Sequence, residues 1–191
     1  MMRVAVARAV SIVGHPVVLV LVAALISASA QGASHQQLRL IGGALATFAA
    51  IVIGFSWLQV RAGRWSHVDA SIRSERNSLN VFLVTLCFLS AVLLWFVTRR
   101  PYMSVALALS GALILTALLS ARWVKVSLHV AFAAFATALL WPIKLAFVAG
   151  VLVTAAVMWS RLVLGRHVAA DVMAGLLLGA AAGAAYHLWA V

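Results

Sequence analysis

Apolar residues in this chain continue for stretches as long as a bilayer is thick. A helix that crosses the roughly 30 Å hydrocarbon core takes about 20 residues, and runs of that order recur near 10–30, 38–60, 79–97, 101–120, 127–141, 143–159 and 168–190. The fifth and sixth runs are the shortest. Inside lipid every backbone amide needs an internal partner, so such runs fold as helices. The expected fold class is all-α, a polytopic transmembrane helical bundle of about six to seven spans. Composition agrees: 66% of the 191 residues are hydrophobic and 9% charged, with a mean hydropathy of +1.15. A soluble domain of this length cannot cover that much apolar surface.

The joints between runs are short. Trp141-Pro142-Ile143-Lys144 places a fixed-φ ring beside an interfacial aromatic and a cation, which predicts a tight turn at the membrane surface, and Arg99-Arg100-Pro101-Tyr102 reads the same way. No polar or Gly/Ser-rich linker interrupts the chain, so residues 1–191 are expected to form a single domain. Arg3 and Arg8 precede a run that ends in Ser27-Ala28-Ser29-Ala30-Gln31. That ending has the small-residue look of a signal-peptidase site, but we take the segment as an uncleaved helix. Gly175, Gly179 and Gly183, four residues apart, predict close helix packing; no P-loop or dinucleotide fingerprint is present. The lone Cys87 lies in an apolar run and reads as a small packed hydrophobe.

Fourteen Lys and Arg against three acids give a net charge of +11, which in a soluble chain would point to nucleic acid. Here the cations flank apolar runs. They are expected to set topology and to meet lipid phosphates, so the partners implied are the bilayer and a membrane lipid phosphate, with no nucleic acid. If the runs cross the bilayer alternately, the N-terminus, the loop from Arg61 to Ser78, Arg122 to His129 and Ser160 to Asp171 share one face. All three acids, Asp69, Glu75 and Asp171, then lie with Arg73, Arg76, Lys125, Arg161, His129 and His167. Charge gathered in a membrane protein is costly and usually marks a site.

The sharpest local pattern is Ser160-Arg161, five residues, His167, three residues, Asp171. On a helix His167 and Asp171 face the same way, so the carboxylate can hold one imidazole nitrogen and leave the other basic, ready for nucleophilic attack or proton transfer. Arg161 supplies a planar fork suited to phosphate oxygens. The bland alternative is a snorkelling Arg and a helix-capping pair.

This pattern, SRxxxxxHxxxD, resembles the last signature block of the phosphatidic acid phosphatase type 2 superfamily, with every fixed position present. A shuffled chain would match it roughly three times in ten thousand. The middle block of that family, PSGH, is similar to Val126-Ser127-Leu128-His129, which keeps Ser and His but has Val for Pro and Leu for Gly. The first block, KxxxxxxRP, aligns its Arg with Arg76 and puts Asp69 where the family has Lys and Asn77 where it has Pro; Arg73, one turn earlier, is positioned to supply the missing cation.

The resemblance implies the family's helical bundle and a lipid phosphatase acting on a polyprenyl diphosphate or phosphatidyl phosphate, with no metal and no other cofactor. His167 would be the nucleophile and Asp171 its holder, with His129 as general acid and then base. Arg161, Arg73, Arg76, Ser127 and Ser160 would bind phosphate, and Asp69 and Glu75 would orient the arginines. Two alternatives stay open: a phosphotransferase passing the group to another lipid, and a non-catalytic protein that binds lipid phosphate or assembles with partner helices. The expected location is a cell membrane, multi-pass, of the bacterial inner-membrane kind. All but four of the 14 Lys and Arg, the exceptions being Arg39, Arg99, Arg100 and Lys144, fall on the motif face. The positive-inside rule reads that face as cytoplasmic by a narrow margin once the phosphate-binding cations are set aside.

Overall fold

The structure, a computed structural model, describes residues 2–67, 72–98 and 101–190; Asp69, Arg99 and Arg100 lie outside them. The described residues form eight helices: α1 (Met2–Val13), α2 (Pro16–Ala30), α3 (His35–Arg61), α4 (Arg73–Thr98), α5 (Pro101–Ser120), α6 (Leu128–Leu139), α7 (Lys144–Val163) and α8 (Ala169–Ala190). Five of them, α3, α4, α5, α7 and α8, are long and apolar enough to cross a membrane, and α1 with α2 makes a sixth candidate bent by 53°. The chain is therefore an all-helical, multi-pass membrane protein.

Two expectations about the runs need correction. The run at 10–30 is not one helix. Pro16 has no N–H to donate and disfavours helical backbone in the residue before it; His15 is accordingly extended at φ −65°, ψ 136°, and caps a new helix. The run at 127–141 is not a span. At about 1.5 Å per residue a helix of 12 residues reaches only about 18 Å. All but Leu128, His129 and Ala138 of its residues are buried, because α2, α5, α7 and α8 all pack around it. The turn at Trp141 to Lys144 forms as expected, and α4 starts at Arg73, so Arg73 and Arg76 do share a helix.

The glycine stripe of α8 explains how closely it approaches α6. A Cβ on Gly175 would lie 2.6 Å from the Ser127 carbonyl oxygen, while Cβ atoms on Gly179 and Gly183 would run into the Ala131 carbonyl oxygen and the Ala138 Cβ. Small residues allow this backbone proximity, a main source of helix association where the solvent is itself apolar. Phe135, wholly buried, anchors a core with Leu113, Phe132, Leu139 and Tyr186, and Cys87 packs in it as a free thiol. Outward faces carry exposed Leu, Val and Phe, with exposed Trp123 at one end of the bundle and Trp141 and Trp189 at the other, the placement that interfacial aromatics favour.

Candidate functional site

His167 lies in the turn between α7 and α8, and that turn is set by one residue. Gly165 stands at φ 61°, a left-handed conformation that costs other residues about 1–2 kcal/mol. Its N–H donates to the Leu162 carbonyl and the Arg166 N–H to the Arg161 carbonyl, at 3.0 and 3.1 Å, the double closure that ends helices at a glycine. The fold-back keeps Arg161, on the last turn of α7, next to the start of α8. There His167 Nδ1 donates to Asp171 Oδ2 at 3.3 Å, and the same oxygen accepts from Val168 N–H at 3.3 Å. A carboxylate only accepts, so the neutral imidazole carries its proton on Nδ1 and leaves Nε2 with a free lone pair. Asp171 is buried and His167 half-buried. Burial, and then the charge of Arg161, hold the His167 pKa below its ordinary 6.5, against the Asp171 hydrogen bond that raises it.

Ser127 and His129 reach the same place from the start of α6. Ser127 N–H donates to the Asp171 backbone carbonyl at 3.1 Å, and Lys125 Nζ donates to the Arg166 carbonyl at 3.4 Å. These bonds tie the segment before α6 to the α7–α8 turn. Ser127 caps α6 by position only: its Oγ makes no cap bond, is fully buried and has no partner among the described residues. An unpaired buried hydroxyl costs about 1–3 kcal/mol, which sets Ser127 apart from the hydroxyls of this end of the bundle that bond within the protein, such as Ser11 and Ser160. Leu128 packs with the Phe135 core. His129 is near enough to Arg161, His15 and His167 to sense their charge.

Arg161 is held from an unexpected direction. Its Nη1 donates to Ser11 Oγ at 2.8 Å, its Nε is buried without a partner, and the His15 ring meets the His129 ring edge to face with centroids 5.5 Å apart. Neither Ser11 nor His15 figures among the sequence candidates; the signal available was Pro16, which predicts the break that brings the exposed His15 against His129. Three helix N-termini, those of α2, α6 and α8, consequently meet at one place. Helix N-termini favour anions, because their first N–H groups lack intrahelical partners and the macrodipole is positive there.

Other candidates stand apart from this cluster. Ser160 is fully buried and its hydroxyl donates to the Val157 carbonyl at 2.9 Å. In this structure its hydroxyl is therefore engaged within α7 and not turned toward Arg161 or His167 by any bond. Glu75 does not orient the arginines either: its carboxylate accepts from Ser66 N–H (2.7 Å), Ser66 Oγ (3.0 Å) and Ile72 N–H (3.4 Å) and so ties down the α3–α4 loop. Arg73 and Arg76 are exposed on the first turn of α4, and among the described residues neither side chain makes a hydrogen bond or ion pair. Since α4 packs chiefly on α5, the structure does not join them to His167. Asp69 is outside the described residues. Among those residues no three His, Cys, Asp or Glu side chains are grouped to hold a metal ion. No family model matches this chain, and neither a curated protein nor a solved structure matches it.

Proposed function

We propose that this protein is a membrane phosphatase of the phosphatidic acid phosphatase type 2 kind, removing phosphate from a lipid phosphate or diphosphate without a metal. The observation that carries the reading is the His167–Asp171 pair set beside Arg161 and the unpartnered Ser127 hydroxyl, where three helix N-termini converge. A nucleophile, its orienting carboxylate and a set of anion donors are the parts that phosphoryl transfer needs.

In this reading the phosphate binds Arg161 and Ser127, and His167 Nε2 attacks phosphorus in line. The P–O bond to the lipid breaks as the P–N bond forms. Asp171 stabilises the charge that develops on the imidazole, and His129 protonates the departing oxygen. Water, deprotonated by His129, then cleaves the P–N bond and releases inorganic phosphate. His129 must bring a proton to the first step although burial, and then the charge of Arg161, disfavour a protonated ring. A phosphate dianion supplies the opposite charge, so that proton arrives with the substrate. Helix ends at headgroup depth meet a substrate that enters sideways from the bilayer, which favours a lipid over a soluble ester.

The test is purified protein in detergent with chelator, offered polyprenyl diphosphates and phosphatidyl phosphates separately. Release of inorganic phosphate that His167→Ala eliminates supports the reading. No release from any of them, with orthovanadate still bound, favours a non-catalytic lipid-phosphate-binding protein. That reading draws on the separation of Arg73 and Arg76 from the cluster.

A further inference from the structure

The break between α1 and α2 touches two groups on which the proposed chemistry depends, yet none of the three signature blocks includes it. Ser11 Oγ accepts from Arg161 Nη1 at 2.8 Å across 150 positions of sequence. His15, one residue before Pro16, lays its ring against His129, and its Nδ1 accepts from Val17 N–H at 3.4 Å. A broken helix leaves backbone groups unpaired, which a membrane protein tolerates only where the break is buried in protein or lines a polar cavity. The first condition holds at Gly14, which is packed so tightly that a Cβ would run into Val157, while the exposed His15 meets the cluster through its ring contact with His129. Discontinuous helices in membrane proteins place ligand sites in this manner, with the N-terminus of the second half toward an anionic group.

We propose that the α1–α2 break is a positioning element of the anion site, in which Ser11 sets the Arg161 fork and His15 sets the His129 ring. Nη1 is the guanidinium nitrogen on the Cδ side. With it held by Ser11, the opposite edge, formed by Nε and Nη2, is left free as two parallel donors, the geometry that takes two oxygens of one phosphate. The unpartnered Nε lies on that edge. His129 makes no side-chain hydrogen bond among the described residues, so the edge-to-face contact with His15 is the directional restraint on its ring. The ligand recognised is a tetrahedral oxyanion, whether a lipid headgroup or free phosphate, and the inference rests on the phosphate reading of the site.

The experiment compares the full chain in detergent as wild type, Ser11→Ala, Ser11→Thr, His15→Ala and His15→Phe. Orthovanadate and inorganic phosphate binding are measured by calorimetry, lipid phosphate turnover in the same preparations, and thermal midpoints alongside. Ser11→Ala is expected to weaken orthovanadate about tenfold and to lower kcat more than it changes KM, with Ser11→Thr restoring both because it keeps the hydroxyl. His15→Ala should lower kcat about tenfold with orthovanadate affinity held within about twofold, and His15→Phe, which keeps the ring contact, should recover most of the rate. Unchanged orthovanadate affinity in Ser11→Ala, or unchanged kcat in His15→Ala, overturns the inference even if thermal midpoints fall, and leaves the phosphatase reading standing. A wild type that binds inorganic phosphate but turns over no lipid sinks the phosphatase reading alone, since the Ser11 comparison still reads positioning. If the wild type binds neither anion, both fail.

Discussion

At the scale of single residues, the pair His167 and Asp171 divides its labour in a way that mutation can separate. His167→Ala removes the proposed nucleophile from a half-buried turn and is expected to lower turnover by about 10³-fold or more while the protein stays folded in the membrane. Near-normal turnover in that variant would end the proposed mechanism. Asp171→Asn is subtler, because the amide oxygen can still accept from Val168 N–H but no longer carries the charge that fixes the imidazole proton on Nδ1. A loss of about 10²-fold in kcat is expected, with little change in thermal midpoint. The pH profile follows from the same geometry. Burial and Arg161 hold the His167 pKa below 6.5, so the neutral nucleophile persists below the pH at which an ordinary histidine protonates. Activity is lost as pH falls through that lowered value, and the acid limb of kcat/KM should therefore have its midpoint below 6.5; a limb centred above 6.5 contradicts the assignment.

At the scale of elements, α6 and its contact with the glycine stripe of α8 decide whether the site assembles. Gly179→Ala puts a methyl group into the Ala131 carbonyl oxygen, and neither backbone can move without disturbing Ser127 and Asp171, which are joined at 3.1 Å. Overpacking of this kind costs about 1–3 kcal/mol or more, and both thermal stability and turnover should drop. The control is Gly42→Ala on α3, where no atom lies within 4 Å of the added Cβ and no loss is expected. Gly165→Ala tests the turn instead. The left-handed φ of 61° makes alanine strained by about 1–2 kcal/mol there, and since that turn fixes Arg161 relative to His167, turnover should fall by more than stability does.

At the scale of the whole molecule, the question is which side of the membrane the site faces. Although α6 is too short to cross by itself, the Ser127–Asp171 and Ser11–Arg161 bonds place the end of α1, the start of α6 and the α7–α8 turn at one end of the bundle. Whether α1 and α2 make one bent span or α2 descends alone, α3 returns to the side of the α1–α2 break, and the positive-inside rule reads that side as cytoplasmic. Ala62, exposed just past the end of α3 and without a role in the Glu75 anchor, is a suitable reporter. Ala62→Cys in a Cys87→Ala background should resist a membrane-impermeant thiol reagent in intact cells and react once the membrane is opened. Labelling from outside reverses the topology.

Much of this protein is written locally in its sequence. The apolar runs specify helices because lipid allows unpaired backbone almost nothing else. The turns at Gly165 and Pro142 follow from residues whose own φ preferences impose them. The His167–Asp171 pair is equally local, since four residues on a helix bring the two side chains together whatever surrounds them. Helix count was less legible, because hydropathy does not distinguish an apolar run that faces lipid from one that faces protein. Only packing shows that α6 is a short buried core helix, and only the break at Pro16 shows that the first run is two. The site divides along the same line. Its proposed nucleophile and fork are sequence neighbours, whereas Ser11 and His15 join them from far along the chain, and the Ser160 hydroxyl bonds to the Val157 carbonyl of its own helix. Contacts between distant segments depend on how helices pack against one another, which the tertiary structure decides and the spacing of residues within one helix does not.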